Sequence, residues 1–423
     1  MHIAVLSARY TPETSPGAKR VSDLVAALQA AGHRTTVLTQ LPSYPDPTAF
    51  RDYLQDARSL AARQEHAGVE VRRISPWTTA KGNLPCRLLA EARFAYLTSR
   101  FGTRLSGFDG VFATSPYILS LCSARSYSAP MWLDLRDLTW EYSRTLGPKG
   151  RLYQVGYHVM KWLALGAFRH AVRISTTTNR QRQYLTEHGI CPDNIEVIPN
   201  GVPREIVDAL GQLPTRAPHH GPLRLVYAGL LGFPQGLSFA IEAIEAMRDK
   251  EVEFHLYGEG VDREAILDYC TTRSLHHVRV QSQVSYQEYL KTIASADVLY
   301  ASLRPGYAME AAMPSKIFEY MAAHKPILFA GAGEAAETIR RAGAGVCIDY
   351  GDKEAFQIQL RRLMADFEYR QQCGDRGRCW VLKHHIRETI NSAWVQSMAD
   401  AFRSAPRKTQ PSHRCAIGRK EWR

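Results

Sequence analysis

The stretch from Ser302 to Leu328, SLRPGYAMEAAMPSKIFEYMAAHKPIL, gathers residues that could hold a phosphorylated ligand. An apolar strand ends near Ser302, a glycine-containing loop follows, and Pro314 is placed to open a helix, a position that proline favours. Free backbone N–H groups and the positive dipole end of such a helix form a ready site for a diphosphate. Lys316 adds a point charge in the first turn. Helical spacing carries Glu319 one turn down the side of Ser315, where a carboxylate could accept hydrogen bonds from ribose hydroxyls. A plain amphipathic helix with Ile317, Phe318 and Met321 facing the core accounts for the apolar residues. It leaves unexplained why Lys and Glu follow a Pro-capped loop directly after a strand.

Three weaker segments have similar placement. Thr11–Lys19 joins the first strand to a helix, and Pro16-Gly17 suits a backbone that passes close to a ligand, or an ordinary surface turn. Gly258-Glu-Gly260 follows another apolar run. Asp134-Leu-Arg136-Asp137 lies at a strand end, where α/β sheets place functional side chains; a buried ion-paired Asp is the competing reading. No His/Cys cluster has metal-ligand spacing, and the chain has no Asp-x-Asp motif, so no bound metal is expected. No nucleophile elbow or catalytic Cys signature is present either.

The elements that position these residues alternate from start to end. Strand candidates are His2–Ser7, Thr35–Thr39, Val69–Ser75, Gly110–Ser115, Pro130–Arg136, Arg173–Thr178 and Ile195–Pro199, most of them apolar rather than alternating, as doubly covered strands should be. Helix candidates Ala18–Ala31, Leu84–Leu105, Arg151–His170 and Asn179–His188 lie between them. The segment Val202–Pro222, with four prolines and His219-His220-Gly221, reads as a linker. A second αβ series restarts at Leu223–Gly229 and runs through Val252–Gly258, His277–Val284, Asp297–Ser302, Pro326–Gly331 and Gly345–Tyr350. The chain after Tyr350 reads as helical. At 423 residues, two Rossmann-like doubly wound domains facing a central cleft are the natural architecture.

Charge is uneven within a net +12. No acidic residue occurs from Tyr142 to Thr186, whereas Arg144, Lys149, Arg151, Lys161, Arg169, Arg173, Arg180 and Arg182 do. The tail from Ser404 is also basic and reads as disordered. Such blocks attract nucleotides, lipid pyrophosphates or membrane headgroups, and no nucleic-acid fold accompanies them. Helix Leu84–Leu105 sets Arg93, Arg100 and Arg104 on one face, which with the basic, aromatic helix Arg151–His170 would suit an anionic membrane or a solvated surface. Eight cysteines without a Cys-x-x-Cys pair fit reduced thiols. There is no run long and apolar enough to span a bilayer, and MHIAVLS is not the start of a secretory signal.

The run Pro314-Ser-Lys-Ile-Phe-Glu-Tyr-Met-Ala…Lys325-Pro-Ile resembles the donor-nucleotide motif of glycosyltransferase family 4, retaining enzymes of the GT-B fold. Further family-like pieces follow in order: Arg9-Tyr-Thr-Pro-Glu-Thr-Ser-Pro-Gly, Asp134-Leu-Arg-Asp-Leu, Ile198-Pro-Asn-Gly-Val, Ala228-Gly-Leu-Leu-Gly-Phe-Pro-Gln-Gly-Leu and Leu256-Tyr-Gly-Glu-Gly. The likeness reaches to about residue 400 and is closest to the branch that builds bacterial surface polysaccharides, similar to colanic-acid and aminosugar transferases.

The resemblance implies an acceptor domain over 1–200, a linker over 201–222, a nucleotide-sugar domain over 223–383, a helix 384–403 crossing back, and a basic tail 404–423. It implies donor contacts from Lys316, Glu319, Ser315, Pro314, Gly17, Gly232 and Gly258. Arg136 and Asp137 occupy the slots where many relatives carry a His-Asp pair that touches donor sugar and acceptor. Two departures stand out. The first of the family's paired glutamates falls on Ala311, beside Glu310, and the basic pair that grips the diphosphate falls on Leu230 or Leu231 and Gln235. Lys316, with Arg304 or Arg20, would then supply the positive charge. The implied protein is cytoplasmic, with the inner face of the cytoplasmic membrane as a peripheral site. It needs no cofactor or metal and takes a nucleotide diphosphate sugar and a saccharide or lipid-linked acceptor. An epimerase of the same fold and a catalytically silent sugar-nucleotide-binding scaffold are the alternatives.

Overall fold

The computed structural model describes residues 1–43, 50, 63–66, 69–74, 84–104, 107–146, 151–214, 221–247 and 251–406. Fourteen strands are assigned among these residues: β1 (His2–Leu6), β2 (Arg34–Gln40), β3 (Arg63–His66), β4 (Val69–Ile74), β5 (Gly110–Thr114), β6 (Met131–Leu135), β7 (Arg173–Thr176), β8 (Ile195–Val197), β9 (Leu223–Ala228), β10 (Val252–Tyr257), β11 (Val278–Gln281), β12 (Val298–Ser302), β13 (Ile327–Ala330) and β14 (Gly345–Ile348). The described residues form two compact units, one drawn from Met1–Asp134, Gly166–Arg173 and the part of the chain from Ser397 on, the other from Leu135–Leu165 and Ile174–Gln396.

In the first unit the strand order is β3-β4-β2-β1-β5-β6. Only the edge pair β3–β4 is antiparallel. The central strand is apolar on both faces, with Ile3, Ala4, Val5 and Leu6 fully buried, as a parallel strand covered on both sides requires. Helix Pro16–Ala30 starts where Ser15 Oγ accepts the Ala18 amide and Pro16 occupies the first turn. It buries Val21, Leu24, Val25 and Leu28 at helical spacing.

The second unit carries the parallel pair β7–β8 and a parallel sheet in the order β11-β10-β9-β12-β13-β14. Counted from β9, that order is third, second, first, fourth, fifth, sixth. The direction of winding therefore reverses between β9 and β12, and a ligand in such a sheet binds beyond the carboxyl ends of those two strands.

Element boundaries differ little from expectation. Ser75 and Leu105 lie outside the described residues, as do 215–220 of the expected linker and 407–423 of the expected tail. The rest of 201–222 is not featureless: Arg204–Gln212 is a helix whose Val207 and Leu210 join the same core as Ile317, Phe318 and Val381. The prolines flank this helix at Pro203 and Pro214 without entering it. After residue 350 the chain forms helices Lys353–Ala365, Phe367–His384 and Arg387–Ser404.

Candidate functional site

At the end of β9 the chain turns through Gly229 and at the end of β10 through Gly258, and the two turns interlock. The Gly229 amide donates to the Tyr257 carbonyl at 2.8 Å, and the Leu231 amide to the Glu259 carbonyl at 2.9 Å. Gly258 has φ +153° and lies against the Gly229 carbonyl, so a side chain there would strike backbone. Gly258 is thus demanded by packing, whatever else it does.

Gly229 leaves room for Lys316. The Lys316 ammonium sits where a Gly229 side chain would begin. It donates to the Tyr227 hydroxyl at 2.8 Å and lies 4.0 Å from the centre of that ring. Tyr227 is fully buried and its hydroxyl donates onward to the Leu230 carbonyl at 2.6 Å, so one phenol holds both the lysine and the loop. Burial pushes the Lys316 pKa down to about 7, the nearby Glu319 opposing that shift. Among the described residues the ammonium has no carboxylate in salt-bridge range. A cation held at a switch point by a neutral phenol is suited to an incoming anion.

The helix expected to open at Pro314 begins at Lys316 and runs only to Ala322, with Ser315 as its N-cap. The Ile317 amide is spent on the Pro314 carbonyl and the Phe318 amide on that of Ser315, at 3.1 and 3.2 Å. Two amides of this helix end are thus committed within the turn that Pro314 and Ser315 shape, and Lys316 brings its charge beside that turn. Glu319 accepts from Tyr286 at 3.1 Å and from Tyr289 at 2.6 Å, one phenol on each oxygen. Each oxygen keeps a further lone pair for a ligand hydroxyl.

Arg304, just past β12, lies with its guanidinium 4.2 Å from the Phe233 ring centre and 5.9 Å from that of Tyr350. Its Nε is buried and, among the described residues, has no hydrogen-bond partner, as is true of Oε1 of Gln235. The loop carrying Gly232, Phe233 and Gln235 is tied to β12, because Ser302 Oγ donates to the Gln235 carbonyl at 2.6 Å and the Arg304 amide to that of Pro234 at 2.9 Å. A side chain at Gly232 would meet nothing closer than Leu230 at 3.5 Å, so protein packing does not require glycine there. Two substitutions separate these roles. Gly229→Ala should lower thermal stability by on the order of 1–3 kcal/mol and displace Lys316. Gly232→Ala should melt like wild type, so that any loss of nucleotide affinity by calorimetry reports close approach of ligand to that backbone.

Glu310, in the turn Tyr307–Glu310, lies 3.5 Å from Arg180, which also pairs with Glu337. Its charge is therefore partly committed. Arg136 and Asp137 stand half-buried just beyond β6. The Arg136 carbonyl accepts from Thr177 and Gln181, and the Asp137 carbonyl from the Thr139 amide. Asp134, by contrast, is fully buried, with Arg20 donating to it at 3.2 Å and Thr114 at 2.9 Å. Arg20 is thus neutralised inside the first unit, a poor source of charge for a diphosphate. Gly17 is buried in the first turn of helix Pro16–Ala30.

Residues 17–201 match the family model described as Glycosyl transferase 4-like domain, and residues 222–366 that described as Glycosyl transferases group 1. The chain is 25% identical to a glycogen synthase of Mycobacterium tuberculosis (strain CDC 1551 / Oshkosh) over 97% of both chains. It is 24% identical to WcaI of Escherichia coli (strain K12), named for colanic acid biosynthesis glycosyl transfer, over 86% of this chain and 92% of that one. In fold it is similar to Anabaena HepE solved in complex with UDP, with a TM-score of 0.67 and 14% identity over 95% of this chain and 100% of that one.

Proposed function

We propose, from the premise that the chain belongs to the glycosyltransferases of the 4-like and group 1 type and has their GT-B fold, that it moves a sugar from a nucleotide diphosphate to a saccharide or lipid-linked acceptor in surface polysaccharide assembly. The observation that carries the donor class is Lys316, a partly buried ammonium bonded to Tyr227 at the β9/β12 switch point. Cleavage of the anomeric C–O bond leaves negative charge on the diphosphate. Lys316 stabilises it, and Arg304 adds charge from the neighbouring strand end. The bound UDP of the HepE structure supports a uridine nucleotide.

Transfer proceeds with retention: the acceptor oxygen attacks from the leaving-group face and a phosphate oxygen takes its proton. Glu319 orients the ribose, Gly17, Gly232 and Gly258 let backbone approach the ligand, and Arg136, Asp137 and Glu310 serve sugar and acceptor. No protein-bound metal is needed, a reading supported by the lack of an Asp-x-Asp motif in the sequence. The protein works in the cytoplasm at the inner membrane face. No described helix is long and apolar enough to cross a membrane. Arg93, Tyr96, Arg100 and Arg104 line one stripe of helix Leu84–Arg104, with Arg100 and Arg104 exposed, which supports peripheral attraction to anionic lipid.

A panel of nucleotide sugars scored for nucleotide release, with and without lipid-linked acceptor, tests the reading. Acceptor-dependent release that is unchanged by a chelator is the expected result. Loss of turnover in chelator with rescue by magnesium or manganese would overturn the metal-independent part. Silence with every donor would overturn the activity itself.

A further inference from the structure

Helix Arg151–Phe168 is pinned by its inner face. Tyr157 is buried and donates to the buried Glu141 at 2.8 Å, Lys161 points to the same carboxylate at 3.9 Å, and Ala164 is fully buried. On the opposite side Val155, Val159 and Trp162 are 58%, 48% and 69% exposed. Their i, i+4, i+7 spacing keeps them within about 60° around the helix axis. Since the inner contacts fix the rotation of the helix, this stripe cannot turn inward.

We propose that the Val155-Val159-Trp162 stripe inserts into the interfacial layer of an anionic membrane. Arg151 lies one turn before Val155 on the same side and is exposed, as is His158, and no acidic residue occurs anywhere from Tyr142 to Thr186. An apolar stripe carried on a segment with basic and no acidic residues complements anionic headgroups lying over hydrocarbon. Trp carries an apolar body and one polar N–H, which suits that boundary. Three side chains cover far less than the roughly 800 Å² per partner of a stable protein interface. Shallow insertion assisted by charge requires no such area. The proposal rests on the membrane-associated reading above and adds a second, apolar contact to the charged helix Leu84–Arg104.

Flotation of the full chain with phosphatidylglycerol-containing vesicles tests it. Wild type should float, whereas Val155→Ser/Val159→Ser/Trp162→Ser should lose at least fivefold of its bound fraction while melting temperature and UDP affinity stay unchanged. Lipids brominated near the headgroup should quench wild-type fluorescence, and Trp162→Phe should float yet lose that quenching. The proposal is overturned if the triple variant floats like wild type or if quenching persists in Trp162→Phe. It is also overturned if lipid-free wild type is a dimer that the triple variant dissociates and neither protein floats. If only Arg93→Gln/Arg100→Gln/Arg104→Gln abolishes flotation, the charged attachment stands and the insertion falls. If wild type itself stays in the pellet fraction, both fall, and the assignment of sugar transfer is untouched.

Discussion

Replacing Lys316 with methionine is expected to weaken nucleotide diphosphate binding at pH 6 about 10–100-fold, the equivalent of about 1.5–3 kcal/mol for one charge-assisted contact. Methionine keeps much of the packing over the Tyr227 ring and removes the charge. The wild-type ammonium has its pKa pushed down to about 7 by burial, so the empty protein is mostly protonated at pH 6 and mostly neutral at pH 9. An anion restores the charge, so wild-type affinity should fall above pH 7, by up to about tenfold per pH unit until the raised pKa of the complex is reached. Lys316→Met should lack that slope.

Stability should move the other way. Because the folded pKa lies below the ordinary lysine value of 10.5, the unfolded chain binds more protons between about pH 7 and 10.5. Wild type therefore gains stability with rising pH across that window, and Lys316→Met does not. At pH 6 the variant should be the more stable protein, a cost of function visible as stability. Glu319→Ala should weaken donor binding by a similar amount, with the added penalty of leaving the Tyr286 and Tyr289 hydroxyls without their acceptor. Unchanged nucleotide affinity in both folded variants would remove the donor site from this strand end.

The apolar runs made nearly every strand of both sheets legible, because doubly covered strands have little polar sequence to confuse them with loops. Lys316 and Glu319 stood out in the sequence because a lysine and a glutamate three residues apart behind a Pro-Ser turn sit badly in a purely structural helix, and the structure puts both on the short helix that follows β12. Tyr227 was not. It lies inside an apolar strand, 89 residues from the lysine it holds, and its sequence neighbours say nothing about that pairing. Gly229 was hidden in part for the same reason, since beside its φ of +147° the space for a side chain is taken by Lys316, brought in by a different element. Arg180 read as one more member of a basic block, yet it is tied to Glu310 and Glu337, acidic residues far along the chain.

Helix ends were the least legible feature. Pro314 is a plausible first residue by its φ alone, but the Pro314 and Ser315 carbonyls close tight turns onto the Ile317 and Phe318 amides, and that choice depends on how Met313 and Phe318 enter the core. Helix Arg204–Gln212 was obscured by the surrounding prolines, although Val207 and Leu210 at i, i+3 were available as a signal of a buried face.

Phe402→Ala is expected to destabilise the unit built on Met1–Asp134 by about 3–5 kcal/mol, the usual cost of removing a buried aromatic ring. Such a loss is a large share of the roughly 5–15 kcal/mol that holds a typical domain. Phe402 is 5% exposed, and its ring lies against Gly110, the first residue of β5, in the space a Gly110 side chain would take. Gly110 pairs with Ile3 of the central strand, and the adjoining Asp109 bonds His2 in both directions, so the ring bears on the start of two neighbouring strands. The pair permits a test that general loss of packing would not pass. Gly110→Ala alone should destabilise by overpacking against the ring, about 1–3 kcal/mol. Combined with Phe402→Ala, the new methyl enters space that the ring has left, so the double variant should be more stable than the sum of the singles predicts. Truncation after Gln396 should exceed either single change, because it also removes Met398, Ala399 and Ala401 from the same unit. Strict additivity in denaturant melts, or a truncated chain in which β1 and β5 amides exchange no faster, would mean that the terminal helix does not support this sheet.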